Sequence, residues 1–126
     1  YIEKRKWIFN YYCNHLKGIE GIKFMPSLKN GESTHWLSVI LLENSTHKKI
    51  ETIIKIFSEN NIEIRPIWKP MHLQPVFEGF DFFHINEKPL SKYLFKHGLC
   101  LPSGSNLSKN DLDRIIDLLI NQTLIK

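Results

Sequence analysis

Apolar positions recur along this chain at two different periods, and the alternation between them lays out its elements. Ile8, Tyr11, Tyr12 and His15 fall at i, i+3, i+4 and i+7, the stripe of a helix running from about Ile2 to Leu16. Gly18 and Gly21 end that helix. Beyond the polar turn Lys29-Asn30-Gly31-Glu32-Ser33, His35 to Leu42 reads as a strand. Its nearly continuous apolar character predicts burial on both faces. Asn44 and Ser45 offer cap chemistry for a second helix to about Asn60, which carries Ile50, Ile53, Ile54 and Phe57 as its buried stripe. Ile62-Glu63-Ile64-Arg65 then alternates as a second strand. Val76 to Phe83 is aromatic without a clear period and reads as a packed loop lying against another surface. Pro89 opens a short helix to about His97, closed by Gly98, and Leu99 to Pro102 is a third strand. Ser108 and Asp111 have capping-box spacing ahead of a last helix with Leu112, Ile115, Ile116 and Leu119 on one face.

This order predicts an α+β fold: a small three-stranded, mainly antiparallel sheet covered on one face by helices. A chain of 126 residues suits a single domain, 1–126. It begins at Tyr1, already inside a helical pattern, so it is expected to be part of a larger protein. No apolar run approaches the roughly 20 residues that span a bilayer, and a membrane is not an expected partner. The net charge of +4 comes from 17 basic and 13 acidic residues, and the bases lie in small groups among the acids. Such a diffuse footprint argues against nucleic acid as a partner. Cys13 and Cys100 form no disulfide framework and no Cys-x-x-Cys pair, which suits a reducing cytoplasm.

The densest chemistry lies in Arg65-Pro66-Ile67-Trp68-Lys69-Pro70-Met71-His72-Leu73-Gln74-Pro75. Proline fixes its own φ and restricts the residue before it, so this stretch is a stiff segment that displays polar groups in a set order. Arg65 and Lys69 suit an anion, Arg65 with bidentate geometry, although either alone is also an ordinary surface charge. Trp68 suits a ring or a pocket wall, or simply the core. His72 suits a sugar hydroxyl or a phosphate, or a nearby carbonyl. The turn Ser103-Gly104-Ser105-Asn106 precedes a helix, where capping is the commoner job and anion binding the rarer one. The chain has no glycine-rich phosphate loop, no paired-histidine metal motif and no visible catalytic nucleophile.

The runs Trp68-Lys69-Pro70-Met71-His72 and Leu99-Cys100-Leu101-Pro102-Ser103-Gly104-Ser105-Asn106, with the last helix and His35-Trp36-Leu37, resemble sugar aminotransferases of the DegT/DnrJ/EryC1/StrS family. The likeness is greatest to UDP-4-amino-4,6-dideoxy-N-acetylglucosamine transaminases of bacillosamine synthesis, and it covers essentially the whole chain. It implies the C-terminal small domain of an enzyme of the aspartate-aminotransferase fold, with the N-terminal domain that binds pyridoxal 5'-phosphate lying outside this sequence. It implies a homodimer, glutamate as amino donor and a UDP-linked 4-keto-6-deoxy-N-acetylhexosamine as acceptor. No catalytic or cofactor-binding residue is expected here, because no lysine has the context of the imine-forming one. The expected contribution is to substrate binding, through Arg65, Trp68, Lys69 and His72. A free-standing basic α+β module gripping an anionic partner is the alternative, and a domain that mainly supports the dimer is a third.

Overall fold

A computed structural model describes residues 1–27, 29–43, 49–85 and 89–123. Helix α1 (Ile2–Leu16) leads into a three-residue strand β1 (Ile22–Phe24). Strand β2 (Ser38–Leu42), helix α2 (Ile50–Glu59) and the short strand β3 (Arg65–Pro66) follow. Two single 3-10 turns, Met71–Leu73 and Pro75–Phe77, come before helix α3 (Leu90–His97), strand β4 (Gly98–Leu101) and helix α4 (Lys109–Thr123). The strands form one sheet in the order β1-β2-β4-β3, and every adjacent pair is antiparallel. The α+β architecture agrees with the sequence reading, but the sheet has four strands where three were expected. Ile22-Lys23-Phe24 is too short to show a period.

Side chains alternate across the sheet, so each strand offers one set to each face. Ile40 and Leu42 of β2, with Leu99 and Leu101 of β4, face the core. There they meet Ile8, Tyr12 and Leu16 of α1, Ile53 and Phe57 of α2, and Leu112, Ile115, Ile116 and Leu119 of α4. The isoleucine stripe of α2 and the leucine-isoleucine stripe of α4 are therefore the expected ones. On α1 the buried set is Ile8, Phe9, Tyr12 and Leu16. The face is turned slightly from the expected stripe: Tyr11 is half-buried and His15 is exposed, stacked on Tyr11 with ring centroids 4.1 Å apart. The Tyr11 hydroxyl instead donates to Asp113 of α4 at 2.5 Å, and that bond pushes its pKa up to about 12. The Tyr12 hydroxyl donates to the Pro102 carbonyl at 2.9 Å, tying α1 to the end of β4, and burial raises its pKa.

Strand β2 starts three residues later than expected. His35 has φ +46, outside extended geometry, Trp36 and Leu37 form a bend, and the ladder begins at Ser38. Burial on both faces of β2 is only partial, since Val39 and Leu41 are half-covered. The N-terminus of α2 lies at Ile50, and the proposed cap at Asn44 and Ser45 falls outside the described residues. In 62–65 the alternation holds, with Ile62 and Ile64 buried and Glu63 and Arg65 exposed, but only Arg65 and Pro66 join the ladder. Pro66 is tolerated there because β3 is an edge strand.

The capping box at Ser108 is present: its backbone N–H donates to Asp111 Oδ2 at 2.8 Å, and the Asp111 N–H donates to Ser108 Oγ at 3.2 Å. The turn 103–106 has a different task from the two considered. Ser103 Oγ accepts from the Ser38 N–H at 2.7 Å and donates to the Leu101 carbonyl at 2.9 Å, so it joins the ends of β2 and β4. Among the described residues no helix is long and apolar enough to cross a membrane.

Candidate functional site

The sheet face opposite the core is only partly covered, and a groove of about 610 Å³ lies over it. Cross-strand neighbours Arg65 and Cys100 point to this face by the alternation that sends Ile64 and Leu101 to the other. Phe95 of α3 closes one side. Gly98 makes that closure possible. A Cβ there would sit 2.0 Å from Ile67 Cδ1 and 2.6 Å from the Leu94 carbonyl oxygen, so only glycine lets α3 turn into β4 with Ile67 lying across it.

Two indoles form the rim. Trp36, just ahead of β2, and Trp68, just beyond β3, stack with centroids 5.6 Å apart and planes 22° from parallel. They remain 58% and 64% exposed, which is unusual for side chains of this size and leaves an aromatic surface facing solvent. Arg65 and Lys69 add positive charge to the same groove. Arg65 is held by Glu63, with Nε donating to Glu63 Oε1 at 2.8 Å and Nη2 at 2.5 Å. The Lys69 ammonium is exposed, while its carbonyl accepts from Gln74 Nε2 at 3.3 Å and steadies the loop.

Three of the four candidates thus come together: Arg65, Trp68 and Lys69 line one groove. His72 is not among its walls. The first 3-10 turn carries it away, and its ring stacks on Phe82 with centroids 3.7 Å apart and an angle of 19°. Its Nε2 is enclosed without a hydrogen-bond partner among the described residues. Trp36 was missed as a site residue because the apolar run 35–42 reads as a continuous strand. Cys100 was missed because strand register brings it in, and Phe95 because the packing of α3 beside the sheet does, and neither is written in local spacing. The Cys100 thiol is buried, which raises its pKa and makes it a wall of the groove rather than a nucleophile. No group of three or more histidine, cysteine or acidic side chains suited to a metal ion occurs among the described residues.

Residues 1–120 match the profile of the DegT/DnrJ/EryC1/StrS aminotransferase family. The chain belongs to this family. EpsN of Bacillus subtilis, whose name assigns it to the pyridoxal phosphate-dependent aminotransferases, is 40% identical over 121 residues, covering 95% of this chain and 31% of EpsN. The dTDP-4-amino-4,6-dideoxy-D-glucose transaminase of Escherichia coli is 28% identical, covering 96% of this chain and 33% of that protein. As a member of the family, the chain therefore spans about a third of the length of these relatives. Streptomyces (S. venezuelae) DesV, solved with a ketimine intermediate, superposes with a TM-score of 0.79 at 19% identity over 94% of this chain and 31% of DesV. That likeness shows a shared fold.

Proposed function

We propose that this chain is the C-terminal small domain of a nucleotide-sugar aminotransferase and that its open sheet face receives the nucleotide-sugar. The observation that carries this reading is the pairing of the exposed Trp36–Trp68 stack with two cations in one groove of a family member. A stacked indole pair offers a flat apolar platform to a base or a sugar ring. Arg65 and Lys69 offer charge-assisted donors to a diphosphate, Arg65 in a fork that matches two phosphate oxygens. His72, stacked on Phe82 with its Nε2 enclosed, stands outside the groove and is not part of the proposed platform.

On this reading the seat for pyridoxal phosphate lies in the rest of the enzyme. An imine-forming lysine needs a neutral amine, usually obtained by burial. None of the described lysines is buried, and Lys6 and Lys23 are paired with Glu32 and Glu43, which raises their pKa instead. On this reading the cofactor supplies the amino-transfer chemistry from the remainder of the protein. This chain binds and orients the acceptor and keeps water from its face of the cleft.

The acceptor proposed is a UDP-linked 4-keto-6-deoxy-N-acetylhexosamine, the donor glutamate and the working assembly a homodimer. The E. coli relative is named for a dideoxy amino sugar on a nucleoside diphosphate, and that supports the substrate class. The test is an assay of the intact protein with glutamate and the UDP-4-keto sugar, reading the aminated nucleotide-sugar by mass and the cofactor by its visible absorption. Amine transfer to the nucleotide-sugar is expected. A protein that carries the cofactor but transfers the amine only to free keto acids would refute the proposal.

A further inference from the structure

A strained turn that the proposed function does not use lies directly ahead of the rim of the groove. His35 has φ +46, in the left-handed region that side chains seldom enter and where histidine is among the better tolerated. Its backbone N–H donates to Ser33 Oγ at 3.2 Å, which closes the turn. Its ring lies flat on Phe9, with centroids 3.8 Å apart and planes 17° from parallel. Phe9 is itself buried and meets Phe24 of β1 edge-on at 5.7 Å. The imidazole Nδ1 is enclosed and makes no hydrogen bond among the described residues, so it is the ring face that holds His35 in place. The next residue is Trp36, which leaves the strand direction and reaches across to Trp68.

We propose that His35 is a positioning residue for the groove: its left-handed backbone and its stack on Phe9 together set the direction in which Trp36 is delivered onto Trp68. One turn thereby couples α1 and β1, through Phe9 and Phe24, to the platform on the other side of the sheet. Without the stack on Phe9 and the left-handed backbone, the bend 36–37 that leads into β2 would lose the anchor that fixes where Trp36 enters the groove. The consequence for the substrate rests on the reading of the groove as the nucleotide-sugar site, whereas the consequence for the indole pair does not.

The test uses the intact protein and two separate readouts. Stacked indoles couple their electronic transitions and give a paired positive and negative band in circular dichroism, isolated by difference against Trp36→Phe. The second readout is KM for the nucleotide-sugar beside kcat. His35→Ala removes the ring and disfavours the left-handed backbone. It is expected to abolish most of the paired band and to raise KM roughly three- to tenfold with kcat unchanged, the worth of one aromatic stack. His35→Gly keeps the backbone freedom without the ring, and Phe9→Leu keeps the bulk without the stack. Both are expected to lose part of the band, and they answer the question if His35→Ala does not fold. A full-strength band in His35→Ala, or in both of the other variants, overturns the positioning role. A lost band with unchanged KM upholds the positioning role and instead removes the groove as the substrate site.

Discussion

Replacing Arg65 by alanine in the intact protein is expected to raise KM for the nucleotide-sugar about five- to thirtyfold while leaving the visible spectrum of the cofactor unchanged. The size follows from two opposed terms. A charge-assisted contact from a guanidinium to phosphate contributes about 1.5–3 kcal/mol. Arg65 must first leave Glu63, but both partners of that pair are well exposed, and an exposed ion pair of this kind is worth about 0.2–1 kcal/mol. The phosphate therefore wins by about 1–2 kcal/mol, which is the stated range in affinity. Glu63 holds the guanidinium over the groove without binding it too tightly to release. Steady-state kinetics with the nucleotide-sugar varied at saturating amino donor would read the effect, and an unchanged KM would remove Arg65 from the site.

Phe57→Ala is expected to be the most damaging single truncation for the fold. Phe57 is fully buried where α2 packs on the sheet and α4, and deleting such a ring costs about 3–5 kcal/mol in transfer and cavity terms. A whole domain is commonly stable by only about 5–15 kcal/mol, so this one change removes a large share. Hydrogen exchange of the α2 and α4 amides in the intact protein measures it locally, without assuming that the protein unfolds in one step. Protection in α2 should fall by two or more orders of magnitude. A fall of less than tenfold would mean that α2 is not anchored through this ring.

The sequence revealed most where one face of an element is buried and the element is long enough to repeat. Ile50, Ile53 and Phe57 on α2, and Leu112, Ile115, Ile116 and Leu119 on α4, are legible because only a helix collects that spacing into one stripe. Strand β1 was not legible, because three residues carry no period and Ile22-Lys23-Phe24 becomes a strand only by pairing with β2. The start of β2 was misplaced because nothing in the apolar run 35–42 announces that His35 turns left-handed. The stripe on α1 was placed slightly off, with Ile8 and Tyr12 correct, because Tyr11 and His15 look apolar enough to be buried. They instead stack on one another at the surface, with Tyr11 bonded to Asp113.

The candidate site divides in the same way. Arg65, Trp68 and Lys69 could be read from the chain because prolines stiffen the segment that carries them. Their companions come from three other places: Cys100 through the antiparallel register of β4 and β3, Phe95 through the packing of α3, and Trp36 from the bend ahead of β2. The same prolines carry the chain into two 3-10 turns, and these take His72 out of the groove and onto Phe82.

If the indole platform and its two cations hold the nucleotide portion of the substrate, titrating the intact protein with UDP alone and following tryptophan emission, in the wild type and in Trp68→Leu, will show it. Saturable quenching is expected in the wild type, with at least fivefold weaker UDP binding in Trp68→Leu, consistent with the loss of one aromatic stack. Equal affinity in the two proteins, measured for the variant by competition against the nucleotide-sugar, would contradict it.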